Sequence, residues 1–264
     1  MFEFLNKSYP SHQENRMENE GNIELARKNF LQQRSNNLEF LLKKRYSWMN
    51  DYLLDKELIY ELGSGPGFSR FYLSKKIILT DIQENEWIDE KQDALNLNIP
   101  DNTVDVFICS HMIHHLAFPI SFFRDVHSKL KDGGLILIQD IESSLLMRFI
   151  LHSMRHEGFD ENINVFDEKI PANRIDDPWS ANCSIPKLLF SQGETFEERT
   201  NFKILKNEVN ECFLFPVSGG VIAKKNVIEL PFSILKLIDL FDQYLVRSFP
   251  KIFAMGRSIV LQKN

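Results

Sequence analysis

Glu61-Leu62-Gly63-Ser64-Gly65-Pro66-Gly67-Phe68 follows a short apolar run that starts near Glu57. The run reads as a buried strand, and the glycines as the turn that ends it. Such a turn lets the backbone approach a ligand closely. A helix is expected from Phe68 to Ser74, so that its first amides also face that ligand. The spacing is G-x-G-x-G. A dinucleotide-binding turn, G-x-G-x-x-G, needs a small residue where Phe68 stands, for close helix–strand packing. Phe68 therefore disfavours a nicotinamide or flavin cofactor, and an oxidoreductase with it.

A second strand, Ile77 to Thr80, ends at Asp81. A carboxylate there can accept hydrogen bonds from both hydroxyls of a ribose. It can also cap a helix or a turn, and the glycine loop before it favours the first role. Gln92-Asp93-Ala94-Leu95 precedes Ile99-Pro100. Asp93 can accept from an adenine amino group, and reads equally as a solvated turn aspartate. The turn Pro100-Asp101-Asn102 introduces a buried strand, Val104 to Ser110. A helix from Phe118 to Leu130 stops at Asp132-Gly133-Gly134, before a strand from Leu135 to Ile141. Strands alternating with helices imply parallel βαβ units. Ligands in such sheets bind beyond the carboxyl ends of the strands. That puts Ser110 and His111 at the crevice.

The flanks read differently. Residues 1–21 are rich in Asn, Glu, Ser and Gln and are expected to form a flexible arm. Residues 22–54 carry helical apolar stripes and are expected to form a cap of one or two helices. The main domain is expected over 55–264. An insertion at about 142–200, where Pro171, Pro178 and Pro186 interrupt the pattern, is expected to lie over the active site. Phe202 to Phe215 reads as a long strand and Phe253 to Gln262 as a closing one. Leu230 to Phe249 reads as an amphipathic helix. Core packing is its favoured role, with dimerisation or contact with a membrane surface as the others.

The chain has 264 residues, 43% hydrophobic and 26% charged, with a formal net charge of −6. That composition is globular and argues against a broad basic surface for nucleic acid. Cys109, Cys183 and Cys212 form no CxxC pair, so neither a zinc knuckle nor a disulfide framework is indicated. The N-terminus lacks the apolar core of a signal peptide, and no apolar run is long enough for a bilayer. A cytoplasmic location is expected.

The run from about Leu58 to Glu142 resembles the class I S-adenosylmethionine-dependent methyltransferases, especially those with a type 11 methyltransferase domain. The resemblance implies an α/β fold. Its Rossmann-like sheet has seven mostly parallel strands with an antiparallel final strand, and helices on both faces. N-terminal helices and an insertion after the fifth strand are added here. It implies S-adenosyl-L-methionine as cofactor. The cofactor-binding residues it implies are Glu61, Gly63, Ser64, Gly65, Gly67, Asp81, Ile82, Asp93, Ala94 and Ser110. A weaker resemblance, in the insertion and the strand after it, is to a branch associated with bacterial surface-glycan synthesis.

Methyl transfer needs a nucleophile in line with the S–CH3 bond, and a hydroxyl acceptor benefits from a base. His111, His114 and His115 follow the crevice strand. His111 and His115 are the catalytic candidates, His111 first because it is nearest the strand end. Packing or capping is the other reading for His114 and His115. His152 and His156 share a helical face but lack a third metal ligand, so no metal is expected. Arg148 and Arg155 are candidates to meet an anionic acceptor. The expected activity is O-methylation of a small-molecule or glycan acceptor, with a lipid-linked glycan included. The alternative is a non-catalytic cofactor-binding protein of the same fold. The acceptor's identity and the oligomeric state are left open.

Overall fold

The computed structural model describes residues 3–9, 22–155, 157–222 and 226–264. Seven strands run β1 (Ile59–Leu62), β2 (Ile78–Asp81), β3 (Glu90–Lys91), β4 (Val104–Ser110), β5 (Leu130–Ile141), β6 (Phe202–Asn210) and β7 (Gly256–Lys263). They form one sheet in the order β3-β2-β1-β4-β5-β7-β6. The pairs up to β4–β5 are parallel, and β7 is antiparallel to both its neighbours. Six strands thus share a direction and the last runs against them, as the resemblance implies. The order reverses between β1 and β4, which places the crevice at their carboxyl ends.

The middle stretches of β4 and β5 are apolar because both faces are covered. In β4, Phe107 and Cys109 belong to one core layer, and Val106 and Ile108 to the other. In β5, Ile136 and Ile138 oppose Leu135 and Leu137 in the same way. One layer meets α3 (Pro119–Lys129) and the two helices before β6, α5 (Ile185–Phe190) and α6 (Gly193–Thr200). Phe123 packs edge-on against Phe196, ring centroids 4.9 Å apart, and anchors the end of the insertion. The other layer meets α2 (Asn36–Ser47), with Phe30 of α1 (Ile23–Gln32) beside it. Asn22 and Ser35 start these two helices by accepting from the amides of Leu25 and Leu38.

The insertion opens with α4 (Leu145–Met154), capped by Ser144 and ended at Arg155 in the left-handed region. Residues 3–9 lie against it. Leu5 is buried, and Tyr9 forms a bridge with Phe159. Residues 1–2 and 10–21, the rest of the expected arm, fall outside the described residues.

Three local expectations need correction. The helix from Phe68 to Ser74 is a single 3-10 turn, Phe68–Phe71, because Tyr72 leaves helical geometry. The strand from Phe202 ends at Asn210. Glu211 takes φ 56° and turns the chain into the short α7 (Leu214–Ser218), which Asp242 caps by accepting from Cys212, Phe213 and Leu214. The helix α8 (Phe232–Ser248) is not a core helix. It buries only Leu235, Asp242 and Val246, and leaves Leu237 60%, Leu240 63% and Tyr244 64% exposed. Its apolar stripe, Ile234, Leu237, Leu240, Phe241 and Tyr244, faces outward. The short α9 (Pro250–Phe253) links it to β7. Among the described residues no helix is long and apolar enough to cross a membrane.

Candidate active site

The turn after β1 is built from three glycines at positive φ, each for its own reason. At Gly63 (φ 65°) a Cβ would lie 2.5 Å from Met112 Cγ, and at Gly67 (φ 67°) 2.8 Å from Leu79 Cδ1. At Gly65 (φ 50°) it would meet nothing within 4 Å. Two glycines are therefore required by the protein's own packing, and the middle one opens onto space. Side chains from outside brace the turn. Trp87 Nε1 donates to Gly65 O at 2.8 Å, and Arg27 donates to Pro66 O at 2.6 Å. Only a 3-10 turn follows, and the amides of Ser64, Gly65 and Gly67 are used within the fold by Thr80 O, Asp81 and Ser64 O, so the turn offers the crevice an open stretch of backbone at Gly65 and not a helix terminus.

Asp81, at the end of β2, accepts from the Gly65 amide at 2.8 Å and from the Gln83 amide at 3.0 Å. Each uses a different oxygen, and a carboxylate offers about four acceptor sites, so two remain for a ligand. Asp93 is held by the Leu95 amide at 2.9 Å. Glu61 lies beneath the loop, fully buried, and accepts from Ser69 Oγ. Burial, reinforced by the Asp81 charge, pushes its carboxyl up to about 7, although Ser69 and Ser64 bond to it.

One cleft of about 420 Å³ gathers most of the expected residues. Gly63, Ser64, Gly65, Asp81, Ile82, Asp93, Ala94, Ser110, His111 and His115 all line it. Glu61 and Gly67 do not reach its surface. The cleft suits S-adenosylmethionine: it has an open glycine, a carboxylate with spare lone pairs and an exposed apolar edge at Ile82, and its size is usual for cofactor sites.

His111 takes φ 53°, and its amide donates to Gln139 O at 2.7 Å. Its Nε2 is buried without a hydrogen-bond partner. Burial, helped by the Arg45 charge, lowers it to about 3, so the ring is neutral at any physiological pH. Arg45 itself is tied to Glu211 through two bonds of 2.8 and 2.7 Å. His115 donates from Nδ1 to Ser180 O at 3.1 Å, and burial with the neighbouring His114 lowers it to about 4. His114 is buried against Asp140, its Nδ1 2.5 Å from Oδ1. Burial alone would depress it, but the Asp140 and Glu157 carboxylates lift it to about 10.

The cleft also draws on residues that sequence reading did not single out. Arg45 and Tyr46 come from α2. Met147, Ile150, Leu151, Met154, Glu157, Asp177 and Trp179 come from the segment after β5, and Phe215 and Met255 from either side of α8. No motif marks them, since they meet only through the fold. His152 lies outside the cleft. Its ring packs among Phe4, Tyr9 and Phe159. His156 is outside the described residues. Arg148 is buried and paired with Glu161.

Sheet order, glycine turn and strand-end carboxylate together define the S-adenosylmethionine-dependent methyltransferase class of Rossmann-like proteins. Residues 41–170 match the family model described as a methyltransferase domain, and the chain carries such a domain, with S-adenosyl-L-methionine as its cofactor. Two solved structures share the fold. A SAM-dependent methyltransferase from Archaeoglobus fulgidus is 18% identical with a TM-score of 0.53, over 84% of this chain and 93% of its own. One from Thermotoga maritima is 16% identical with a TM-score of 0.53, over 92% and 96%. No curated protein gives a significant match.

Proposed function

We propose that the protein methylates a hydroxyl oxygen on a small acceptor with an apolar body, such as a lipid-linked sugar or a hydroxylated apolar metabolite. The lining of the cleft carries this reading. Beyond the glycine turn and Asp81 it is walled by Met147, Ile150, Leu151, Met154, Phe215 and Met255, with His111 among them. Such a wall desolvates an apolar body and leaves its few polar atoms to the few polar groups present. A bare, fully hydroxylated glycan would lose too many hydrogen bonds there.

When bound, the cofactor supplies an activated methyl group on a sulfonium. The Gly65 turn and Asp81 fix the nucleoside, and the apolar wall excludes water. His111 Nε2 accepts a hydrogen bond from the acceptor's hydroxyl and aims an oxygen lone pair; as the O–CH3 bond forms and the S–CH3 bond breaks, the hydroxyl proton leaves to solvent. A side chain held at positive φ at a strand end, with an unpartnered buried nitrogen, fits that role. Because the ring is neutral throughout the physiological range, the acceptor nitrogen is always available.

The test is turnover to S-adenosylhomocysteine over a panel of hydroxylated apolar acceptors, each paired with its O-blocked analogue. Product should form with the free hydroxyls and not with the blocked ones, and His111→Ala should lower kcat by about tenfold, the worth of one hydrogen bond. Equal turnover of the blocked analogues would overturn the oxygen assignment.

A further inference from the structure

We infer that the protein binds a zinc ion between the end of β4 and the insertion, through His114, Glu157 and Cys183. This goes beyond the methyl-transfer reading and does not depend on the acceptor. It also departs from the expectation of no metal, which rested on the missing CxxC pair and on the lack of a third ligand for His152 and His156.

The His114 imidazole is already oriented as a ligand, and His115 stands beside it. His114 Nδ1 faces Asp140 Oδ1 at 2.5 Å. Asp140 is itself fixed by the amides of Ile113 and Ile141 at 2.8 and 2.7 Å. His115 Nδ1 donates to the Ser180 carbonyl. Both rings therefore turn Nε2 the same way, toward Glu157. A histidine whose other nitrogen is held by a carboxylate or a carbonyl is the usual arrangement around a metal. His114 Nε2 is buried, makes no hydrogen bond, and has the Glu157 carboxylate 3.5 Å away before it, a spacing that leaves room for an ion between them.

The distances suit one ion. His114 Nε2 lies 3.5 Å and His115 Nε2 3.8 Å from Glu157 Oε1. Cys183 Sγ lies 3.3 Å from Glu157 Oε2. The donor atoms of His114, Glu157 and Cys183 all fall within 4.8 Å of one another. A tetrahedral zinc with bonds of roughly 2.0–2.3 Å sets its ligand atoms about 3.3–3.8 Å apart. Imidazole, carboxylate and thiolate together are a zinc donor set, whereas magnesium and calcium take oxygen alone.

The site joins two parts of the chain. His114 and His115 follow the crevice strand, while Glu157 and Cys183 belong to the insertion. A metal there cross-links the insertion to the sheet and fixes one wall of the cleft. Binding displaces the Cys183 proton and any proton on His114 Nε2.

The experiment uses the untagged full chain, purified without chelator. Metal content is measured, then the protein is stripped and refilled with cobalt(II). One zinc per chain is expected, with cobalt giving tetrahedral ligand-field bands and a thiolate-to-cobalt charge-transfer band. Cys183→Ser should lose the charge-transfer band, and both it and Glu157→Gln should bind metal at least tenfold more weakly. Cys183→Ser is nearly isosteric and keeps the test open if a histidine variant fails to fold. S-adenosylmethionine titration of the same samples reports the cofactor site separately. A chain that retains no metal and shows only six-coordinate cobalt would overturn the inference, as would binding unaffected by either substitution.

Discussion

The Gly65 amide donates to Asp81 Oδ2 at 2.8 Å, joining the turn after β1 to the end of β2. The bond orients the carboxylate whose two remaining acceptor sites face the cleft, so Asp81 has two tasks. It holds the turn in shape, and under the proposed function it also grips the ribose. Asp81→Ala should weaken S-adenosylmethionine binding by about 1.5–3 kcal/mol, the worth of hydrogen bonds to a charged group. Calorimetric titration against the wild type measures it, and an unchanged affinity would remove Asp81 from the site.

Gly63 and Gly65 are expected to fail differently. At Gly63 a Cβ meets Met112 at 2.5 Å, so Gly63→Ala should cost about 1–3 kcal/mol of folding stability in strain and crowding. At Gly65 the space is open, so Gly65→Ala should cost about 1–2 kcal/mol for the left-handed backbone alone. Its larger effect should fall on cofactor affinity. Thermal melts with and without ligand separate the two. Equal loss of affinity in both variants would contradict this division.

Glu61 makes stability depend on pH. Its folded pKa, about 7, lies above the ordinary 4.5, so the folded chain holds this proton more tightly than the unfolded chain. The contribution is fully present below about pH 4.5 and is lost as pH rises to about 7, on the order of 3 kcal/mol in all. Glu61→Gln removes that dependence. Its melting temperature should match the wild type near pH 5 and exceed it at pH 8. A cationic cofactor above the carboxyl should also release a proton, visible near pH 7 as a binding heat that varies with the buffer. Parallel stability curves for the two proteins would refute the assignment.

Arg45 and Glu211 form a buried bidentate pair beside the cleft. Removing one partner leaves the other charged and unpaired. Glu211→Ala should therefore cost about 3–5 kcal/mol of stability, read from urea unfolding. A loss below 1 kcal/mol would mean that water compensates the arginine.

The legible parts of this chain are those where local chemistry and fold agree. β1, β2 and β4 lie within two residues or so of their expected positions, because continuous apolar runs ending at Gly63, Asp81 and Ser110 admit few other readings. The placement of Gly65 and Asp81 at the cleft was legible for the same reason, since a turn and a strand end are written in adjacent residues. The helix after the glycine turn was not, because Phe68 is recruited into the core beside Phe30 after a single turn. The exposed face of α8 was hidden too. Composition reports that a helix is apolar, and only tertiary structure reports which side is left uncovered. Glu157 and Cys183 carried no signal at all, because the insertion brings them to His114 from well down the chain.

The most direct measurement is titration of S-adenosylmethionine into the wild-type protein and into Asp81→Ala under identical conditions. The wild type should bind one equivalent, and the variant should bind it at least tenfold more weakly while melting as a folded protein. No binding by the wild type at millimolar ligand would contradict the cofactor site built on Gly65 and Asp81.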